Sequence, residues 1–531
     1  MKYLHKITCT IYNMGLKTVQ LLTLLLMVVL TLCSLFWGYY AEEMESQASI
    51  SHAEPIFLHL TGILTLLLLL FLLLKCSGRH IRVFKRTLLG FTMCWYCFWG
   101  LFLILCGRSI PAADSASVYS IAQALAFGQT GVIHPTDSYL SYYPQQIGLV
   151  AFYEIIIRLW NLLPINYAAY YVLQCINVAM SCIIVYFQYK ITSLLTRDND
   201  AATICYLFLA LLNAPLVIYT SFVYGEIPSF ALLCAGLYTL LAYYMKQSLS
   251  CGRRYLYLFC SLPLLILSVA LRKNSLIVII AVLLTLVWEW LRVHRNQLLL
   301  YAILLLVGSF SILPCIQKIY EYRADNVLST GVPAISYVAM GMQESSRGNG
   351  WYNGFNFYTF ESSNLDTSIT ASKSREAIQD SLSAFRKNPG YAFQFYKDKF
   401  LSQWTDGSYF CRQATLAHTD GRSRIIESLY TGSLSLSFNH YCNIYQLLIY
   451  IGALLCLLWL SSGHSRSGQQ SPSLLPYIGM IAVLGGFLFH MVWEANSRYI
   501  LPYFLLLLPY AAMGLSNLYT ILSQKISHLS R

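Results

Sequence analysis

The chain has 531 residues, 57% of them hydrophobic and only 11% charged, and that apolar excess excludes a water-soluble enzyme and points to a polytopic membrane protein. Lys and Arg number 35 against 23 Asp and Glu, a formal charge of +12. In so apolar a chain such an excess belongs to cytoplasmic loops rather than to a nucleic-acid surface. Most of the 16 cysteines lie in apolar runs such as MCWYCFWGLFLILC; a thiol there behaves as a small hydrophobe, and no metal site is read from them.

A bilayer core takes about 20 apolar residues of helix. The expected spans are 18–40, 56–75, 87–106, 167–189, 201–221, 227–245, 255–271, 274–291, 298–316, 443–461, 474–493 and 498–520. The basic start MKYLHKITCTIYNMGLK resembles the n-region of a signal peptide, but the run that follows is too long for an h-region, so it reads as a retained first span. Lys2, Lys6 and Lys17, then Lys75, Arg79, Arg82, Lys85 and Arg86, then Lys246, Arg253 and Arg254, then Arg292 and Arg295, all fall on one side if the spans alternate. That side is the cytoplasm, and Lys525 and Arg531 put the C-terminus there with the N-terminus. The stretch AEEMESQASISHAEP, the loop around Asp114, the YGEIPS and WEANSR corners and the polar region 317–442 then face outward.

The segment 145–164 breaks this alternation if it crosses, so it is expected as an interfacial or re-entrant helix, with Glu154 and Arg158 paired four residues apart. Four regions follow: 1–86, two spans with basic ends; 87–316, a transmembrane core with a first outer loop at 107–166; 317–442, an extracytoplasmic domain; and 443–531, the closing spans. Within 317–442, Ser372 or Ser374 is expected to cap a helix that stops at Asn388, Pro389 and Gly390. A second helix, carrying Phe393, Phe395, Tyr396, Phe400 and Trp404 among Lys397, Asp398 and Lys399, suits the outer membrane surface, with Trp404 a belt residue. Cys411 and Cys442 share this side and are candidates to pair.

The outer boundary collects Asp114, Asp137, Glu154, Glu226, Arg272, Lys273, Glu494 and Arg498. The turn LRKNS is out of place outside by charge bias, which suggests an anionic partner such as a lipid phosphate, or headgroup snorkelling. Asp114 precedes a good helix and reads as an N-cap or as a general base, roles that are compatible. Glu226 lies between a Gly and a Pro-broken helix, either solvated or aimed into an outer cavity. Glu494 and Arg498 are spaced to pair with each other.

The order of these features resembles the GT-C superfamily of integral membrane glycosyltransferases, specifically glycosyltransferase family 39, the bacterial relatives of protein O-mannosyltransferases and aminoarabinose transferases. Asp114, the helix 115–127 and SYYPQQIG match an acidic first outer loop, a surface helix and a Pro-containing motif; VWEANSRYILPYFLLLLPYA, YGEIPS, LRKNS and GNGWYNG look like the Gram-positive subgroup. Ser115 departs from the pattern, since many members carry a second acidic residue there.

The resemblance implies an all-α, GT-C-like bundle of about 12 spans (11–14) with a first-loop helix and an outer soluble domain. It implies transfer of a sugar from a polyprenyl-phosphate carrier to a cell-envelope glycan, glycolipid or protein, with inversion, in the cell membrane and on its outer face. Asp114 would be the base, and Arg272, Lys273 and Arg498 would stabilise the leaving phosphate; Glu226, Tyr143, Gln145, Trp351, Tyr352 and Glu494 would line the substrates. No cofactor is read from the residues, and a divalent metal is left open. The competing readings are a flippase for a lipid-linked glycan, which predicts midplane charges and internal repeats that the chain does not show, and a non-catalytic assembly factor acting through 317–442.

Overall fold

The computed structural model describes residues 2–40, 50–136, 138–165, 167–248, 250–461 and 473–529. Asp137, Arg531 and most of the acidic stretch after Tyr40 lie outside the described residues. Among the described residues eleven helices are long and apolar enough to cross a membrane, and the pair Asp200–Leu211 and Ala214–Ser221, bent by 56°, makes a twelfth if it is one span. These twelve coincide with the expected spans, and the protein is an all-α polytopic membrane bundle. The bend follows from its residues: Pro215 opens the second half, where its missing N–H costs nothing, and Asn213 Oδ1 accepts from Leu216 N.

Two spans form the centre. Glu226–Met245 is 89% buried over its apolar stretch and Ser497–His528 83%, whereas Ile56–Ser77 is 17% buried and turns its leucines to lipid. Close approach in a membrane rests on small residues rather than on apolar area. A side chain at Gly514 would run into the Gly452 carbonyl, which lets the last span lie against Ser435–Ser461.

Some boundaries differ from expectation. The first apolar helix, Thr10–Phe36, ends before Trp37–Tyr40, which pairs antiparallel with Ile50–Ala53 in a short hairpin. The helix Asn296–Ala324 runs eight residues past its expected end, its polar last turns held by Lys318–Glu321 at 2.7 Å and by Gln317 donating to Glu321 at 2.9 Å.

The segment after the PQQ turn forms the helix Ile147–Asn161, about 22 Å long and too short for a core of about 30 Å. It lies at the end of the bundle that holds the first outer loop. Glu154 accepts from Arg158 Nε at 2.7 Å, as expected, and also from Arg323 at 2.8 Å and Tyr320 at 2.5 Å, so it ties this helix to the extended turns of Asn296–Ala324.

Four expectations for region 317–442 are corrected. The first helix is Thr367–Lys387, capped by Asp366, whose carboxylate accepts from Ser368 N and Ile369 N; this acidic cap, upstream of Ser372 and Ser374, satisfies two orphan donors where one serine would satisfy one. The second, Pro389–Trp404, packs onto the end of the bundle instead of lying on lipid: Phe395, Lys399, Leu401 and Trp404 are buried. Trp404 stacks on Tyr503 at 6.2 Å and is a core residue, not a belt residue. Cys411 and Cys442 are both buried free thiols.

Gly148 sits where a side chain would meet the Ala270 carbonyl oxygen, so its bare backbone lets Ile147–Asn161 approach the helix that ends just before Arg272. Gly148→Ala is expected to destabilise the protein by about 1–3 kcal/mol through overpacking. Thermal unfolding of the detergent-purified variant reads this directly, and an unchanged transition would show that the two helices have slack.

Candidate active site

The central observation is one carboxylate shared by two guanidinium groups. Glu226 opens the most buried span, directly after Gly225, whose missing side chain allows close approach to the Leu271 carbonyl. Its Oε1 lies 2.7 Å from Arg272 Nη2 and 3.5 Å from Arg498 Nε. Neither contact is aligned as a hydrogen bond: both Glu226 oxygens and Arg498 Nε are buried without a hydrogen-bond partner. The group therefore carries one surplus positive charge and uncommitted donors. Both guanidiniums lie over the Tyr224 ring, at 4.6 Å for Arg272 and 5.6 Å for Arg498. Tyr224 is fixed in turn by Gln146, whose Nε2 donates to its hydroxyl at 2.7 Å. A narrow cleft with about 30 Å³ of free space lies beside the pair, lined by Glu226, Arg272 and Arg498 together with Phe230, Val278 and Pro502.

The expected pairing of Glu494 with Arg498 is corrected. Helical geometry begins only at Ser497, so the four-residue spacing never places the two on one face. Arg498 turns to Glu226 instead, and Glu494 lies in the preceding extended link.

That link is pinned at successive positions. Lys399 Nζ donates to Trp493 O at 2.8 Å and to Gly341 O. Ala495 N donates to Gly350 O at 2.7 Å, and Trp351 forms a parallel bridge to Ala495. Asn496 Oδ1 accepts from Arg498 N at 2.9 Å. Ser497 Oγ donates to Asp406, which also accepts from Ser408 N, Ser408 Oγ and Phe410 N. Trp351 is buried, stacked on Tyr39 at 5.6 Å and donating Nε1 to Ser402 Oγ at 2.9 Å, so its ring holds the link rather than facing a ligand.

Asp114 is the first residue of the helix Asp114–Ala126, not its cap; the cap position is Ala113, with φ +49°, a region L residues rarely adopt. Ser115 Oγ bonds to Ala112 and leaves the Asp114 carboxylate exposed and uncommitted at a helix N-terminus, where a negative charge is favoured. Its field reaches the arginine cluster: burial pushes the Tyr224 phenol up to about 12, with Asp114 raising it and Arg272 and Arg498 lowering it. Asp114, Arg272 and Arg498 thus all act electrostatically on the Tyr224 phenol. Asp114 and Glu494 also act together on Tyr143, Tyr337 and Tyr352, whose phenols are raised first by burial.

Of the remaining expected site residues, Tyr143 is half-buried against Tyr139 at 5.0 Å, Tyr352 is 37% exposed below Arg347, and Lys273 is exposed outside the cleft. Gln145 is half-buried, and its neighbour Gln146 makes the contact to Tyr224. Among the described residues no group of three or more His, Cys, Asp or Glu is arranged to hold a metal ion.

No protein-family model matches the chain, and no curated protein matches it in sequence. Three solved structures of the oligosaccharyltransferase of Archaeoglobus fulgidus are similar to it, each with a TM-score of 0.45. The apo form is 11% identical over 83% of this chain and 52% of that one. The form tethered to an acceptor peptide with the NVT sequon is 12% identical over 85% and 51%. The complex with an inhibitory peptide and a dolichol-phosphate is 14% identical over 84% and 52%. The chain thus spans about half the length of these structures, and a likeness of this degree transfers no residue and no activity.

Burial raises the Glu494 carboxyl from 4.5 to about 7, with Arg498 lowering it and Asp114 raising it. Burial also draws Lys399 down to about 7, with Glu494 opposing. The unfolded chain releases the Glu494 proton near 4.5 while the folded protein keeps it to about 7, so this residue lowers stability as pH rises through that window. Lys399 acts above that window and with opposite sign. Glu494→Gln, which cannot titrate, is expected to flatten the fall in melting temperature between pH 4.5 and 7 and to be the more stable form at pH 7. A slope equal to that of the unsubstituted protein would remove Glu494 as its cause.

Proposed function

We propose that the protein is a membrane glycosyltransferase that moves a sugar from a polyprenyl-phosphate carrier to a hydroxyl of an extracytoplasmic glycan, glycolipid or protein. The observation that carries this reading is the pair of guanidiniums that share the Glu226 carboxylate over the Tyr224 ring, with the exposed Asp114 carboxylate acting on the same phenol. A base and an anion clamp at one membrane boundary are what displacement of a lipid phosphate from an anomeric carbon requires. The positive-inside bias of the loops supports reading that boundary as the outer face, with both termini cytoplasmic.

In this reading the lipid phosphate binds the open donors of Arg272 and Arg498, displacing part of their contact with Glu226, and the isoprenoid follows Phe230, Val278 and Pro502 toward the bilayer. Asp114 accepts the proton of the acceptor hydroxyl as the new bond to the anomeric carbon forms; the C–O bond to phosphate breaks on the opposite side, and the configuration inverts. The arginines then meet charge growing on the departing oxygen, in a cleft whose low polarity strengthens each contact. Tyr143 and Tyr352 line the acceptor side. The motif order resembling family 39 of the GT-C superfamily fits this assignment, and no step in it is routed through a metal.

Purified protein supplied with polyprenyl-phosphate sugars tests the roles separately. Asp114→Asn is expected to lower kcat by about 10²–10⁴-fold, the range of a lost general base. Arg272→Ala is expected to raise the donor KM. Equal transfer by Asp114→Asn and the unsubstituted protein refutes the base, and unchanged donor saturation removes Arg272 from the phosphate site.

A further inference from the structure

The end of the bundle opposite the cleft carries a second pocket. The span Glu226–Met245 starts at the cleft and ends beside this pocket, 20 residues or about 30 Å away. Tyr243, Arg254, Tyr255, Arg295, Asn296 and Gln297 line an open pocket of about 520 Å³. Arg254 is held in place: its Nε donates to Tyr243 O at 3.2 Å, and its guanidinium lies 5.2 Å over the Tyr243 ring. The terminal nitrogens of that fork stay uncommitted. Gln297 Oε1 accepts from Tyr243 OH at 3.4 Å and Tyr255 OH at 3.2 Å, which leaves Gln297 its two N–H donors.

Charge in this pocket has one sign. Among the described residues no ion pair involves Arg254 or Arg295, and Glu289, the acidic residue of the helix before Arg295, is held by Arg292 at 2.6 Å. The helices Cys251–Leu271 and Asn296–Ala324 both begin here, with no acidic residue in their first turns and no side-chain cap, so their free N–H groups add to the two arginines. Just beyond the polar floor, one turn along each helix, Phe259 (76% exposed) and Leu300 (58% exposed) present apolar surface. A soluble anion would use the floor alone; a molecule with a phosphate head and acyl chains uses both.

We propose that this pocket holds the phosphate headgroup of an anionic phospholipid, with its acyl chains over Phe259 and Leu300. The two arginines supply forked donors to the phosphate, and Gln297 hydrogen-bonds a remaining oxygen or a headgroup hydroxyl. The site is independent of the transfer reaction and lies at the other membrane boundary.

Native mass spectrometry of the detergent-purified full chain tests this with added phosphatidylglycerol, with phosphatidylcholine, and with phosphatidylglycerol in competition with millimolar inorganic phosphate. Arg295 is exposed and without an ion pair, so Arg295→Gln leaves folding intact and serves beside the Arg254→Gln/Arg295→Gln double variant. At about 1 kcal/mol per cation, phosphatidylglycerol binding should weaken about fivefold in the single variant and roughly thirtyfold in the double. Phosphatidylcholine adducts should not change, and inorganic phosphate should not displace the lipid. Equal phosphatidylglycerol retention by the double variant overturns the site, and displacement by inorganic phosphate overturns the lipid as its occupant.

Discussion

A buried carboxylate that faces two arginines at a membrane boundary is the constraint around which this end of the protein is built. Each of the three charges would be costly alone at such a depth, and the desolvation of one is offset only by the presence of the others. The trio draws its members from the start of one span, the turn between two others and the start of the last. Those elements must therefore meet at one height in the bilayer, and the close approaches at Gly225 and Gly148 are what let them. One carboxylate faces two guanidiniums, so the trio by itself carries a net positive charge.

The link 493–498 shows how a loop can be as rigid as a helix. Lys399, Gly350, Asn496 and Asp406 each satisfy one of its polar groups, and Trp351 packs across it. This places Arg498 without regular secondary structure on its N-terminal side. Lys399, Gly350 and Asp406 come from region 317–442, so that region belongs to the construction of the cleft.

Much of this was legible in the sequence, because apolar length is a strong signal: all twelve spans stood out, including the one that bends at Pro215. The arginine of the LRKNS turn stood out by charge, and the structure places Arg272 against Glu226. What failed were spacings taken as helical where no helix exists, as in Glu494 with Arg498, and aromatic residues credited with exposure, as in Trp351 and Trp404. Lys399 gave a usable sign that went unread, since it lies four residues after Phe395 and three before Ser402, on the buried face of its helix. Asp406 and the choice of Gln146 over Gln145 had no local sign, because both depend on partners that are distant in the chain.

The helix Asn296–Ala324 leaves the bilayer without a break. Its 29 residues span about 43 Å against a hydrocarbon thickness of about 30 Å, and the surplus carries Tyr320, Glu321 and Arg323. Through the contacts of Glu154 with Tyr320 and Arg323, that surplus ties the short helix beside the PQQ turn, and through Gln146 the ring on which both guanidiniums rest, to the end of a membrane-spanning helix.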